Sequence, residues 1–325
     1  MIPEYYFRLV CLCCASFFLV HTAVGAGVLL VAPAAYRRAQ GMPARSAAGL
    51  LLSLRLLPFV VASCAVVALC VPSYLWFEPR DGAEPLGMVC TAAAILGALL
   101  WVLAAVRSLE ALVHTVRFEG RCRNAGGEAR LDGWTSPLLV VDAQTPLLAL
   151  SGVLRPKLFL TRAVYEALGP EELSAALRHE DAHRNSRDNL KRLALLLVPE
   201  ILPFARSFTA LERNWAMYSE WAADDEASGG DAQGALWLAS ALVRVARMGT
   251  ACGPELVASL TACGCGLEAR VERLLRAGSP REAVRGRGRM ARHGELLLAG
   301  AFTSGIVLLP GALACVHGLL ERLVQ

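Results

Sequence analysis

Four long apolar runs constrain the fold of this 325-residue chain more than any other feature. Crossing the hydrocarbon core of a bilayer takes about 20 consecutive apolar residues, because a helix of that length pairs its own backbone polar groups. The runs cover Leu9–Ala32, Leu56–Phe77, Leu86–Val106 and Leu296–Val316. The sequence therefore predicts an α-helical membrane protein with four transmembrane helices.

The first run has an alternative interpretation as a secretory signal, because Ala32-Pro33-Ala34 faintly resembles a cleavage site. The run is too long for a signal core, however, and its leading segment is barely charged. Arg37 and Arg38 also follow it directly. We therefore interpret it as a membrane span.

Basic residues are distributed unevenly among the segments between the runs. They flank the first connection, follow the third run and precede the fourth: Arg37, Arg38, Arg45 and Arg55; Arg107, Arg117, Arg121 and Arg123; Arg281, Arg285, Arg287, Arg289 and Arg292. The positive-inside rule then predicts a multi-pass protein of the inner (cytoplasmic) membrane, with both termini outside and residues 107–295 in the cytoplasm. The net charge of +4 mostly reflects this topology. We expect no direct nucleic-acid binding.

The chain divides into three predicted regions: residues 1–113 with three membrane helices, 114–294 as a cytoplasmic α+β domain, and 295–325 with the fourth span. Residues 114–136 are polar and rich in glycine and are predicted to be a linker. Short β-type runs follow at 138–141, 146–150 and 157–161, and helices are predicted at about 208–228, 235–248 and 254–277. The apolar run 190–204 is short and contains two prolines, so it lies against the membrane or inside the domain.

The cytoplasmic region contains His179-Glu180-Asp181-Ala182-His183, an H-E-x-x-H pattern. Gly169 and Pro170 mark the start of the helix that carries it, because proline is favoured in the first helical turn. The two histidines are one turn apart, so both imidazoles can bind one metal ion. Glu180 is placed to reach a water molecule at that ion rather than to bind the ion itself.

A catalytic zinc ion keeps three protein ligands and one open position. Glu220 and Asp224 are four residues apart on a predicted helix, and we assign Glu220 as the third ligand. Asp224 is predicted to accept the other ring N–H of a ligating histidine. Asp225 and Glu226 follow Asp224 directly, so the choice among these acidic residues stays open. The alternative interpretation is that the acidic residues form a solvated helix face without a metal.

These residues predict a zinc-dependent hydrolysis of peptide bonds. A zinc ion lowers the pKa of water and polarises the scissile carbonyl, while Glu180 transfers the proton to the leaving amine. The donor that stabilises the oxyanion stays open among Arg213, Asn214 and Tyr218, which are near Glu220 in sequence. Cys263 and Cys265 lack further clustered ligands and do not indicate a second metal site.

Several segments together resemble the BlaR/MecR family of membrane zinc metallopeptidases. They are Leu154-Arg155-Pro156-Lys157-Leu158-Phe159-Leu160-Thr161, Gly169-Pro170-Glu171-Glu172-Leu173, the H-E-x-x-H pattern, Arg187-Asp188 and the stretch from Glu220 to Asp224. The order of three spans, protease region and fourth span extends the resemblance along the chain. H-E-x-x-H alone would not be specific.

The resemblance implies a gluzincin-type domain with zinc held by His179, His183 and Glu220. It also implies a protease that is switched on from outside the cell, that cleaves itself, and that causes the loss of a cytoplasmic DNA-binding repressor. The best-known members carry an extracellular penicillin-binding sensor after the last span. This sequence ends at Gln325, so we expect no sensing of β-lactams.

Two other functions remain open. One is a membrane-protein protease like HtpX or the CAAX prenyl proteases, against which the short 190–204 run argues. The other is a non-catalytic receptor or scaffold that keeps zinc for folding, against which the presence of Glu180 argues. The expected partners are a protein or peptide substrate, membrane lipids and a cytoplasmic repressor, and a homodimer stays open.

Overall fold

The computed structural model describes residues 2–79, 86–129, 138–143, 145–200, 206–249, 257–259, 266–277 and 318. Its N-terminal part consists of three long helical rods. They are α1 (Ile2–Gln40), a rod made of α2 (Ala44–Ala65), a π-helical turn (Val66–Cys70) and α3 (Val71–Phe77), and α4 (Met88–Asn124). All three rods are long and apolar enough to cross a membrane. They contain the first two predicted spans and the third from Met88 onwards. The fourth run, 296–316, and Cys263 and Cys265 lie outside the described residues.

The helices extend well beyond the predicted spans. The 37 residues of α4 reach about 55 Å, whereas the hydrocarbon core of a bilayer is about 30 Å thick. The prediction of a linker at 114–136 was wrong in its first half, because α4 continues to Asn124 and strand β1 (Gly126–Ala129) follows. Ser108, Ala111, Thr115 and Cys122 form a buried face along this extension. Packing of that face stabilises a helix whose sequence is too polar to be recognised as part of a span.

Close packing between α1 and α4 depends on a glycine. A Cβ atom at Gly97 of α4 would lie 2.4 Å from the carbonyl oxygen of Cys14 in α1. Small residues at such positions allow helix backbones to approach closely where lipid provides no hydrophobic driving force. Gly97 therefore fixes the distance between these two rods.

We expect Gly97→Ala to destabilise the protein by about 1–3 kcal/mol, because the added methyl group must push the two backbones apart. Gly27→Ala in α1 is the matched control, since a Cβ atom there would meet no atom within 4 Å. Alanine is also a better helix former than glycine, so this control should be neutral or slightly stabilising. Thermal unfolding of both variants in detergent checks the expectation, and equal melting temperatures would contradict it.

A five-stranded mixed sheet lies next to the rods. Its strands are β1, β2 (Leu138–Val141), β3 (Leu148–Ser151), β4 (Lys157–Thr161) and β5 (Val257–Ser259), in the spatial order β1-β2-β4-β3-β5. Only the pairing of β2 with β4 is parallel. One face of the sheet packs with Leu158 and Leu160 in the main core, while Phe159 faces Phe118 and Cys122 of α4. The sheet is therefore covered on both faces.

Six helices complete the described part of the chain. They are α5 (Arg162–Ala167), α6 (Pro170–Ser186), α7 (Asp188–Leu197), α8 (Arg206–Ser228), α9 (Ala232–Arg247) and α10 (Leu267–Ala277). The predicted start at Pro170 and the helices near 208–228 and 235–248 are confirmed. The prediction of a helix over 254–277 is confirmed for Leu267–Ala277, which forms α10, but it was wrong at Val257–Ser259, which forms strand β5. Two glycines at 264 and 266 disfavour a continuous helix here.

The apolar run that starts at 190 is partly buried as far as it is described, with Leu195 and Val198 buried and Leu197 exposed. Helix α7 has 10 residues and is about 15 Å long, which is half of what a membrane span requires. It packs against α4 and α6. Its Leu195 is buried in a cluster with residues of α2 and α8.

The membrane rod that begins with α2 packs directly along α8. Leu51 of α2 is fully buried against Leu211 and Trp215 of α8 in one hydrophobic cluster. At the edge of this cluster, Arg55 Nε donates to Glu212 Oε1 at 2.6 Å. The helix that carries Glu220 is thus attached to a membrane helix along its other face.

Candidate metal centre

Helix α6 positions the H-E-x-x-H pattern. Pro170 opens the helix, and the carboxylate of Glu172 accepts a hydrogen bond from the backbone N–H of Gly169 at 2.9 Å. This bond satisfies one of the unpaired donors of the first turn. The helix ends at Arg187, whose φ of 54° puts it in the left-handed conformation that terminates many helices.

Three predicted ligands meet in the interior. His179 and His183 of α6 and Glu220 of α8 are each no more than 1% exposed. The two Nε2 atoms are 3.1 Å apart, and Glu220 oxygens lie 3.5 Å from Nε2 of His179 and 3.6 Å from Nε2 of His183. A tetrahedral zinc ion with bonds of about 2.05 Å holds its ligand atoms about 3.3 Å apart. This group can therefore hold a metal ion.

Each histidine has a carboxylate at its other ring nitrogen. His183 Nδ1 makes a hydrogen bond with Asp188 Oδ2 at 2.7 Å. Asp224 Oδ1 lies 3.0 Å from Nδ1 of His179, which is an ion-pair distance without hydrogen-bond geometry. The bond to Asp188 holds the Nδ1–H tautomer of His183 and leaves its Nε2 as the atom that faces a metal.

The role of Asp188 was missed in the sequence analysis. Asp188 follows Arg187, whose left-handed conformation makes the sharp bend between α6 and α7. This bend returns the carboxylate to His183, and Ser219 Oγ and Lys191 Nζ also donate to it at 2.9 and 2.8 Å. An aspartate five residues after the second histidine is only a weak indication of a hydrogen-bond partner for that histidine. The aspartate reaches the imidazole only because the chain bends at Arg187.

Glu180 is fully buried between the two histidines. Neither of its carboxylate oxygens accepts a hydrogen bond from any residue in the described part of the chain. Burial raises the pKa of this carboxyl to about 7, although both histidines act in the opposite direction. A buried carboxylate without a partner destabilises the folded state, so its presence favours a chemical rather than a structural role.

Opposite charges set the protonation of the surrounding groups. Burial alone would lower the pKa of His183, but Glu220 and Asp188 outweigh it and raise this pKa to about 10. The pKa of Glu220 is well below its usual value despite its burial, because His183 and Arg270 lie nearby. A metal ligand must be a neutral imidazole, so uptake of a metal ion here releases protons.

None of the three predicted oxyanion donors points into this group. Arg213 is exposed, and Asn214 donates to the carbonyl of Ala210 in its own helix. Tyr218 belongs to the hydrophobic cluster between α8 and α2. Arg270 of α10 does reach the site. The sequence did not indicate it, because one arginine in an amphipathic helix has no distinguishing pattern.

A cavity of about 680 Å³ lies between α4, α7 and α8. Arg192 lines it and also approaches the metal group, with Nη2 3.6 Å from Glu220 Oε1. His179, Glu180, His183 and Glu220 do not themselves line this cavity, so Arg192 is the residue that links it to the candidate metal group. The arrangement combines two imidazoles, one binding carboxylate and one unpaired carboxylate, which suits a metal-assisted proton transfer. No protein-family model matches this chain, and no curated protein matches it.

Proposed function

We propose that this chain is a zinc-dependent endopeptidase of the inner membrane, with a gluzincin-type cytoplasmic domain. The observation that carries the proposal is the triangle of His179, His183 and Glu220 beside the carboxylate of Glu180, which has no hydrogen-bond partner among the described residues. Two imidazoles and one carboxylate are a ligand set of catalytic zinc sites, which leave one position open. A purely structural zinc site has four protein ligands and no use for a buried base.

The reaction follows from the residues around that position. A zinc ion supplies Lewis acidity, which lowers the pKa of water and polarises a carbonyl. Glu180 accepts the proton of the attacking water and donates it to the nitrogen of the leaving amine. Asp188 and Asp224 keep the imidazoles in one orientation throughout. Burial of the whole group excludes bulk water and strengthens each of these electrostatic interactions.

Strand β5 supports cleavage of the chain by itself as part of this proposal. It pairs antiparallel with β3, where Val257 is opposite Ser151 and Ser259 is opposite Ala149. It also contacts α6 and α7, the two helices next to the metal group. Extended peptides bind to sheet edges by adding a strand. Strand β5 is paired with β3 in the same manner as a bound peptide substrate would be.

The resemblance to the BlaR/MecR family extends the proposal to signalling, with a cytoplasmic repressor as a further substrate. The packing of α8 on α2 supports this extension. Arg55 and Glu212 join these helices at 2.6 Å, two turns from Glu220 on α8. A displacement of the membrane rod would therefore act on the helix that carries the third ligand.

Comparison of new protein N-termini, across the proteome, in cells that express the wild type or Glu180→Gln tests this proposal. We expect N-termini that are specific to the wild type, one inside this chain near 257–259 and one in a DNA-binding repressor. Wild-type-specific fragments of membrane or lipidated proteins would instead favour the HtpX and CAAX type of protease. Identical N-termini in both cultures would contradict a peptidase that is active without its stimulus, and would leave a latent protease or the zinc-containing scaffold.

A further inference from the structure

Helix α10 carries three arginines in three different environments. Arg276 is exposed and pairs with Glu272 of its own helix, and Arg273 is partly exposed and contacts Asp225 on the surface of α8. Arg270, in contrast, is only 2% exposed. It lies one turn before the buried Leu274. The apolar face of α10 thus carries one arginine into the interior.

The guanidinium of Arg270 contacts two acidic residues of the metal centre. Its Nε and Nη2 atoms lie 2.9 and 2.7 Å from the two oxygens of Asp224. Its Nη1 atom lies 3.0 Å from Oε2 of Glu220, and Nη2 is 3.4 Å from Nε2 of His179. Two parallel hydrogen bonds fix the plane of a carboxylate as well as its position. Arg270 therefore constrains the rotation of the Asp224 carboxylate and holds that of Glu220.

We propose that Arg270 is a positioning residue of the metal centre, a role that rests on the proposed zinc site. The ion-pair contact of Arg270 with Oε2 of Glu220, at 3.0 Å, favours the orientation of this carboxylate towards the imidazoles. By binding Asp224 with two bonds, Arg270 keeps Oδ1 directed at Nδ1 of His179. The guanidinium of Arg270 thus acts on two of the three candidate ligands. It acts on Glu220 directly and on His179 through Asp224.

The charges of the buried group support this role. Glu220 and Asp224 bring two carboxylates into the interior, while Asp188 is paired with Lys191 at 2.8 Å. Arg270 contacts both of these carboxylates, so it offsets their charge. Removing one partner of a buried ion pair is strongly destabilising.

Two effects of Arg270 on metal affinity have opposite signs. A guanidinium next to the ligands repels a metal cation, so its charge alone would weaken binding. Fixing the ligand geometry strengthens binding, and loss of such outer contacts typically weakens metal affinity about 10- to 100-fold. The direction of the change in a variant without Arg270 therefore separates positioning from charge.

The test compares zinc affinity in the purified full chain for the wild type, Arg270→Gln, Arg270→Lys and Arg273→Gln. Competition with a chelator gives the affinity, and the visible absorption of the Co²⁺-substituted protein reports the ligand geometry. We expect Arg270→Gln to bind zinc about 10- to 100-fold more weakly and to change the Co²⁺ spectrum. Arg270→Lys should also bind more weakly, because an ammonium group keeps the charge but not the two-pronged geometry. Arg273→Gln should match the wild type.

Unchanged or tighter zinc binding by Arg270→Gln would overturn the proposal. Wild-type affinity in Arg270→Lys would overturn it too, since charge alone would then suffice. An equal loss in Arg273→Gln would show that only the docking of α10 matters. If Arg270→Gln does not fold, Arg270→Lys carries the comparison. Failure of the wild type to bind zinc is a separate outcome, and it would overturn the proposed function together with this role of Arg270.

Discussion

Glu180→Gln is expected to reduce the rate of peptide hydrolysis about 10²- to 10⁴-fold, the usual contribution of a positioned general base. Glutamine has nearly the same shape as glutamate, but its amide cannot accept the proton of the attacking water. Glu180 lies beside the candidate ligands without a hydrogen-bond partner among the described residues. Zinc content should therefore remain at the wild-type level. The rate is measured on a peptide that spans a cleavage site found by the comparison of N-termini.

Glu171→Gln is the matched control for this prediction. It is the same substitution in the same helix, but Glu171 lies in the first turn of α6 and is exposed. We expect it to leave the rate unchanged. Similar rates in Glu180→Gln and the wild type would contradict the assignment of Glu180 as the base. Loss of zinc from Glu180→Gln would instead mean that this residue binds the metal.

Removal of zinc by a chelator is expected to lower the melting temperature by roughly 10 °C. An ion present at about a thousand times its dissociation constant stabilises the folded state by about 4 kcal/mol, and each kcal/mol corresponds to about 2–4 °C in a domain of 150–250 residues. The physical reason is that His179, His183 and Glu220 come together only in the folded chain, so the ion binds the folded state and its binding free energy adds to the stability.

His183→Ala provides the control for the effect of the chelator. This variant lacks one of the three ligands, so we expect its melting temperature to be low and insensitive to the chelator. Thermal unfolding of both proteins in detergent, with and without chelator, gives the comparison. An equal shift in wild type and variant would mean that the chelator acts elsewhere on the chain.

The sequence was sufficient where one local pattern determines one structure. Leu138–Val141 and Lys157–Thr161 form strands with the predicted boundaries, and Pro170 starts the predicted helix. The H-E-x-x-H spacing places His179 and His183 on one face of a helix, independently of the rest of the fold. The spacing of Glu220 and Asp224 was likewise enough to place both next to His179.

The sequence was insufficient where tertiary contacts override local preference. The polar end of α4 was predicted as a linker, but its buried face packs against the folded domain up to Cys122. Asp188 and Arg270 reach the metal centre only through the bend at Arg187 and the docking of α10. Neither the bend nor the docking of α10 is indicated by a periodic pattern in the sequence, because each depends on how one helix packs against another.

X-ray absorption at the zinc edge of the purified full chain tests the central claim most directly. We expect one zinc ion per chain with two imidazole ligands and oxygen or nitrogen donors only, at about 2.0–2.2 Å. His183→Ala should lose this signal. Sulfur ligands at about 2.3 Å, or a wild-type protein without zinc, would contradict the proposed centre and the peptidase that depends on it.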